Sequence, residues 1–125
     1  MYRILFLIGI GSVVGGIARF LTQQYVQRNY PSIIPLGTLG VNIIGCFLIG
    51  LVYGLAQKGN ILSEEMRLFL ATGICGGFTT FSAFAYENIA LLQDGEFFYT
   101  AAYVTMSVIL GLASVYLGIF FIKMF

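Results

Sequence analysis

Charged residues are scarce in this sequence, and histidine is absent. Only 9% of the 125 residues are Asp, Glu, Lys or Arg, whereas a soluble domain carries about 25%. The formal net charge is +1, so nothing in the composition suggests a nucleic-acid partner. No acidic residue falls in the middle of the first, second or fourth apolar segment. The residues therefore form no catalytic constellation, and the protein is predicted not to be an enzyme.

Cysteine is also rare, and the glycines do not form a nucleotide site. Cys46 and Cys75 are the only cysteines, and both lie in apolar runs. Two such thiols are predicted to be small packing residues rather than a disulfide or a metal site. The glycine-rich stretch at 73–77 lacks the lysine and the strand context that a phosphate-binding loop requires.

Apolar residues dominate what is present. They make up 59% of the chain, and the mean hydropathy is +0.96. A spanning helix needs about 20 apolar residues, so four spans use nearly the whole chain and leave no room for a soluble domain. The sequence predicts an all-α integral membrane protein with one four-span domain over residues 1–125. The predicted helices cover about 2–27, 36–57, 63–93 and 96–123, and Lys58, Gly59 and Asn60 form the second loop.

The third segment contains the stretch least suited to a lipid-facing helix, residues 73–84. Glycine costs about 1 kcal/mol relative to alanine in a helix interior. Backbone released from a helix in hydrocarbon must be buried in protein or line a wet cavity. Glycines alone fit tight packing equally well. Because Thr79, Thr80 and Ser82 follow, and because this helix is longer than a straight span needs, we predict that it is broken near Gly76-Thr79, beginning at Gly76-Gly77.

Polar groups within the other spans each have two interpretations. Asn42 is the only strongly polar group in the middle of its span. It therefore either makes an interhelical hydrogen bond or acts as a hydrogen-bond donor on a binding path. Thr38 lies four residues earlier on the same face. Tyr103 and Ser107 carry hydroxyls deep enough to contact such a path. Arg19 is either an interfacial arginine or a structural or vestibule charge.

Three motifs carry a resemblance to a known family. They are Gly11-x-x-x-Gly15-Gly16-x-x-Arg19, then Gly37-Thr38-Leu39-x-Val41-Asn42-x-x-Gly45-x-Phe47-x-x-Gly50, then Gly73-x-x-Gly76-Gly77-Phe78-Thr79-Thr80-Phe81-Ser82-x-Phe84. In order and spacing the sequence resembles the CrcB/Fluc family of fluoride channels, and the third motif is the specific one. Ala83 stands where many members have threonine, and it leaves Phe81 and Phe84 in register.

The resemblance implies a small subunit that assembles as an antiparallel, dual-topology homodimer with two pores. It implies passive export of fluoride across the inner (plasma) membrane, and a structural sodium ion held at the dimer interface by the backbone carbonyls of Gly76 and Thr79. Phe81 and Phe84 would be the pore-lining aromatics, and Glu87 would lie toward a vestibule. The polar part of the fluoride pore would comprise Asn42, Ser82, Tyr103, Ser107 and Thr38.

Two other functions remain to be weighed. A small dual-topology, proton-coupled drug exporter would need an ionisable residue near the middle of the first helix, where the sequence has Gly11 through Gly16 and no carboxylate. A purely structural subunit accounts for the glycines but not for Asn42. Basic residues show a modest bias that still allows insertion in both orientations. On one side lie Arg3, Lys58, Arg67 and Lys123, and on the other Arg28 and Arg19.

Overall fold

The chain folds into helices joined by short loops. The computed structural model describes residues 1–59 and 61–125, so Asn60 of the predicted second loop lies outside it. The described residues contain no strand. The first two helices are α1 (Tyr2–Asn29) and α2 (Leu36–Gln57). The third span is interrupted, with α3 (residues 64–78) before the interruption and α4 (Phe81–Gln93) after it. The last helix is α5 (Phe97–Lys123).

These helices make four spans long and apolar enough to cross a membrane within the described part of the chain: Tyr2–Asn29, Leu36–Gln57, Glu64–Gln93 and Phe97–Lys123. The predicted all-α, four-span architecture is therefore confirmed. Large apolar side chains are exposed along every span, as expected where the surroundings are hydrocarbon rather than water.

The ends of α3 and α4 follow from local chemistry. Ser63 caps α3 by accepting a hydrogen bond from the Met66 N–H at 3.1 Å. Glu65 in the first turn pairs with Arg3 of α1 at 2.7 Å, which joins the two helices at this end of the molecule. Gly95 adopts a positive φ of 75° in the turn from α4 to α5, a conformation that residues other than glycine rarely adopt.

Glycines bring α1 and α3 into direct backbone contact. A Cβ atom added at Gly15 would collide with the carbonyl oxygen of Ile74 and lie 2.9 Å from the Phe78 nitrogen. One added at Gly77 would lie 2.7 Å from the Ser12 oxygen. Small residues of this kind let membrane helices approach closely and gain van der Waals contact.

The helices α2 and α5 form a second pair of the same type. A Cβ atom at Gly50 would collide with the Val115 carbonyl oxygen, and one at Gly118 would collide with the Phe47 carbonyl oxygen. The two glycine-packed pairs, α1 with α3 and α2 with α5, leave α4 to pack over the second pair. A small core of Leu39, Leu91 and Tyr103 joins α2, α4 and α5.

The helix α3 is not uniform. It begins as an α-helix over Glu64–Arg67, continues as a π-helix over Leu68–Cys75, and returns to α-helix over Gly76–Phe78. A π-helix bonds each N–H to the carbonyl five residues earlier, and such stretches are frequent at functional sites. The sequence analysis did not predict this stretch.

The predicted interruption of the third span near Gly76-Thr79 is confirmed, and it lies at the Thr79 end of that stretch rather than at Gly76-Gly77. The extended residues are Thr79 (φ −91°, ψ 158°) and Thr80 (φ −149°, ψ 117°). Gly76 and Gly77 are helical. Gly77 is needed as glycine because of its contact with Ser12 of α1, so its small size serves packing rather than the break.

This packing makes a direct prediction about stability. Gly15→Ala should lower the thermal stability of the purified protein, because its Cβ atom would meet α3 backbone that has no flexible end to move. Overpacking of this kind costs about 1–3 kcal/mol. Thermal unfolding in detergent measures the effect.

The neighbouring glycine provides the matched control. A Cβ atom at Gly16 meets nothing within 4 Å, and alanine improves helix propensity by up to about 1 kcal/mol. Gly16→Ala should therefore melt at or above the temperature of the unaltered protein. Equal melting temperatures for Gly15→Ala and the unaltered protein would contradict the packing described above.

Candidate functional site

A groove opens beside the interruption of the third span. It has a volume of about 370 Å³ and is bordered by α2, α3, α4 and α5. Six residues that the sequence analysis assigned to a site line it, namely Asn42, Gly76, Thr79, Phe81, Phe84 and Ser107. Cys46 and Cys75 also line this groove, and both thiols are free.

Asn42 replaces the helical partners of Thr80. Its Nδ2 donates to the Thr80 carbonyl oxygen at 3.2 Å, and its Oδ1 accepts from the Thr80 N–H at 2.8 Å. A side-chain amide thus pairs with a backbone amide across two helices. The interhelical hydrogen bond is thus present, and because Asn42 also borders the groove, its role as a donor on a binding path stays a prediction.

The interruption diverts two N–H groups from their helical acceptors. In an uninterrupted α-helix the Thr80 N–H would bond the Gly76 carbonyl, and the Ala83 N–H would bond the Thr79 carbonyl. Instead the Thr80 N–H bonds Asn42, and the Ala83 N–H bonds the Thr80 side-chain oxygen at 3.2 Å. The carbonyls of Gly76 and Thr79 therefore lose their usual donors at the edge of the groove.

Arg19 of α1 serves another carbonyl of the same stretch. Its Nε donates to the Gly77 oxygen at 3.3 Å, and its Nη1 donates to Oε1 of Gln23 at 3.3 Å. The Gly77 carbonyl would otherwise face the Phe81 N–H across the break. Arg19 is thus a structural charge next to the interruption, and its position follows from the close approach of α1 to α3.

A second polar cluster lies around Glu87 of α4. The Thr38 hydroxyl donates to Oε2 of Glu87 at 2.7 Å, and the Tyr103 hydroxyl donates to Oε1 at 2.9 Å. Thr38 and Tyr103 are both fully buried. Short O–H to carboxylate bonds are among the stronger hydrogen bonds in proteins, so this cluster ties α2, α4 and α5 together.

Glu87 also borders a second cavity. This cavity has a volume of about 340 Å³ and lies against the loop between α1 and α2, with Gln27, Tyr30 and Ser32 among its lining residues. The loop follows the polar end of α1. Because a polar helix end is expected at the membrane surface, we expect the cavity to open toward that surface. The vestibule position that the resemblance implied for Glu87 stays a prediction.

Aromatic rings connect the groove to the Glu87 cluster. The rings of Phe81 and Phe84 are 5.8 Å apart, and those of Phe84 and Tyr103 are 5.0 Å apart at an interplanar angle of 62°. Phe81 is 78% exposed. Phe81, Phe84 and Tyr103 thus form a row, which we call the aromatic row, from the groove to the Tyr103 hydroxyl.

The hydroxyls of Ser107 and Ser82 differ in burial and in hydrogen bonding. The Ser107 hydroxyl is buried at the groove and makes no hydrogen bond within the described part of the chain. A buried hydroxyl in this state is costly unless something else accepts its proton. Ser82 is exposed and lies 3.4 Å from the Thr80 hydroxyl, and it is not among the residues that line the groove.

Gln23 is a residue that the sequence analysis missed. Its Nε2 donates to the Thr38 hydroxyl oxygen at 2.9 Å. The available signal was its spacing, because it follows Arg19 by four residues and so shares a helix face with it. Among the described residues no cluster of three or more His, Cys, Asp or Glu could hold a metal ion, so a cation in this region would rest on neutral oxygens.

Comparisons with known proteins agree with the resemblance. The family model described as "CrcB-like protein, Camphor Resistance (CrcB)" matches residues 6–119. Three similar proteins carry the name fluoride-specific ion channel FluC. One, from Azobacteroides pseudotrichonymphae genomovar. CFP2, is 43% identical over 118 residues and covers 94% of each chain. One from Chlorobium phaeobacteroides (strain DSM 266 / SMG 266 / 2430) is 48% identical over 117 residues, which are 94% of this chain and 90% of the relative.

The third relative, from Flavobacterium psychrophilum, is 40% identical over 121 residues, which are 97% of this chain and 98% of the relative. The similarity therefore extends over all four spans and over both polar clusters. Because the family model and the relatives each cover nearly the whole chain, this protein belongs to the CrcB family.

Proposed function

We propose that this chain forms a fluoride channel that lets fluoride leave the cytoplasm passively. The names of the relatives support the choice of ion. The observation that carries the proposal is the aromatic row, which runs from the groove to the buried hydroxyl of Tyr103. The groove is also lined by Ser107, whose hydroxyl makes no hydrogen bond among the described residues. The row joins the groove at the centre of the subunit to the cavity beside Glu87.

The chemistry of this row suits a small, strongly hydrated anion. Removing water from fluoride in a medium of low dielectric constant costs tens of kcal/mol, so other groups must replace the water. Hydroxyl and amide groups donate hydrogen bonds, and aromatic rings carry a positive edge. Conduction also needs binding weak enough for release, which a row of neutral donors provides. Arg19 has its Nε bound to a carbonyl, so it does not place a free cation on the row.

The diverted hydrogen bonds support a structural sodium ion. Gly76 and Thr79 are the two residues whose carbonyls lose their helical donors to Asn42 and Thr80. Broken membrane helices commonly coordinate cations with such carbonyls. In a two-fold dimer four carbonyls would surround one ion, a neutral oxygen set that suits a hard monovalent cation. When bound, the ion supplies positive charge between the two anion paths, and it is not transported.

The open groove supports assembly with a second copy. On one subunit the groove is bordered by two exposed apolar side chains, those of Phe81 and Val108. An antiparallel homodimer would cover this surface, complete the sodium site and create two pores in the plasma membrane. A proton-coupled exporter fits less well, because the middle of α1 is occupied by glycines packed against α3.

The aromatic row provides the first functional test. Phe81→Ile and Phe84→Ile keep apolar volume but remove the positive ring edge, so each should lower fluoride efflux by about tenfold or more. A fluoride electrode follows efflux from liposomes that contain only the purified variant. Phe6→Ile is the control, because Phe6 is an exposed ring on α1 away from the groove. Normal efflux with both row variants would remove the rings from the path.

Asn42 provides a second test. In Asn42→Asp the Nδ2 donor becomes an oxygen facing the Thr80 carbonyl, and a negative charge enters the groove. Fluoride efflux should stop, while size-exclusion chromatography still shows the assembly of the unaltered protein. Asn29→Asp is the control, since Asn29 makes the same type of amide-to-carbonyl bond at the exposed end of α1. Efflux at the normal rate through Asn42→Asp would exclude Asn42 from the pore.

The sodium proposal has its own measurement. Replacing sodium on both sides of a planar bilayer with a large organic cation should reduce fluoride conductance, because the carbonyls of Gly76 and Thr79 would lose their ion. Under normal conditions no sodium flux should accompany fluoride. Conductance that persists unchanged after exhaustive removal of sodium would refute the structural ion.

A further inference from the structure

Gln23 links the interruption of the third span to the Glu87 cluster. Arg19 bonds the Gly77 carbonyl and the Gln23 oxygen, and Gln23 in turn bonds Thr38. Thr38 then bonds Glu87, which also accepts from Tyr103. This hydrogen-bond chain runs through α1, α2, α4 and α5. It connects the break beside the groove with the cavity at the α1–α2 loop.

The direction of each bond in this chain is fixed. Arginine has only donors, so the Gln23 oxygen must face Arg19 and the Gln23 nitrogen must face Thr38. A hydroxyl has a single proton. Because the Thr38 oxygen already accepts from Gln23, its proton is directed to Oε2 of Glu87 at 2.7 Å.

We infer that Gln23 is a positioning residue for anion conduction: its amide directs the Thr38 proton toward Glu87, and through Arg19 it ties that hydroxyl to the break in the third span. The inference rests on the proposed fluoride channel. With both oxygens held by Thr38 and Tyr103, the Glu87 carboxylate stays at the Tyr103 end of the aromatic row and out of the groove, where its charge would repel fluoride.

This role predicts that the substitution closest in shape to Gln23 lowers fluoride conductance more than an apolar substitution does. Gln23→Glu has nearly the shape of the original residue and gains an ion pair with Arg19 four residues earlier, so it should fold at least as well. However, it replaces the donor to Thr38 with an acceptor, and two carboxylates then compete for one hydroxyl proton. Gln23→Met removes all polar groups but leaves Glu87 as the acceptor that faces the Thr38 proton. The closer mimic should therefore be the poorer channel.

Single-channel recording in planar bilayers, paired with thermal melting, tests this order. We expect Gln23→Glu to lower fluoride conductance about tenfold or more, with an unchanged or higher melting temperature, and Gln23→Met to stay within about threefold of the unaltered protein. Gln24→Glu controls for added charge, because Gln24 is the neighbouring residue of α1 and lines neither the groove nor the cavity beside Glu87. It should also stay within about threefold.

Several results would overturn the inference. They are normal conductance in Gln23→Glu, an equal loss in Gln23→Met, or an equal loss in Gln24→Glu. Melting temperatures provide a second measurement that does not depend on fluoride. The shifts for Gln23→Met and Thr38→Val should not add in the double variant, because both remove the same bond. If the unaltered protein carries no fluoride, the proposed function fails as well. If it carries fluoride and Gln23→Glu matches it, only the positioning role fails.

Discussion

An unpaired backbone group inside a membrane costs several kcal/mol, and this constraint governs the structure around Thr79 and Thr80. The extended pair leaves backbone groups without helical partners. Side chains bond several of these groups, whereas the carbonyls of Gly76 and Thr79 lie at the edge of the groove. Asn42 pairs with both backbone groups of Thr80, Arg19 bonds the Gly77 carbonyl, and the Thr80 hydroxyl caps α4. The break is therefore a shared product of α1, α2 and α4.

The polar groups around the break can reach their partners because glycines let the helices approach closely. Arg19 reaches the Gly77 carbonyl because Gly11 and Gly15 allow α1 to lie directly against the α3 backbone. On the other side of the molecule, Gly50 and Gly118 set α2 against α5 in the same manner. This second contact brings Thr38 and Tyr103 onto the same carboxylate. The close packing of small residues thus determines which polar groups can reach one another.

Hydropathy alone predicted the four spans, because few charges interrupt them and span length is set by the bilayer. The cluster of glycine and threonine predicted a break near Gly76-Thr79, but not that it lies at the threonines rather than at the glycines, since a glycine used for packing and a glycine used for flexibility look alike in a sequence. Gln23 was missed for a related reason. Its partners Thr38 and Glu87 are distant in the chain, so its role depends on how α1 packs. The π-helical stretch has no compositional signal that we can name.

That π-helical stretch over Leu68–Cys75 makes the span sensitive to its number of residues. A π-helix accommodates one residue more in each hydrogen-bonded turn than an α-helix does, so removing one residue would let the segment relax to ordinary geometry with the flanking residues in register. Adding one residue would instead shift every residue beyond the segment by one position, which is about 100° around the helix axis. Gly77 would then turn away from Ser12, and the Gly77 carbonyl would turn away from Arg19. A single insertion here would therefore disturb both the packing and the break, whereas a single deletion within Leu68–Cys75 would preserve them.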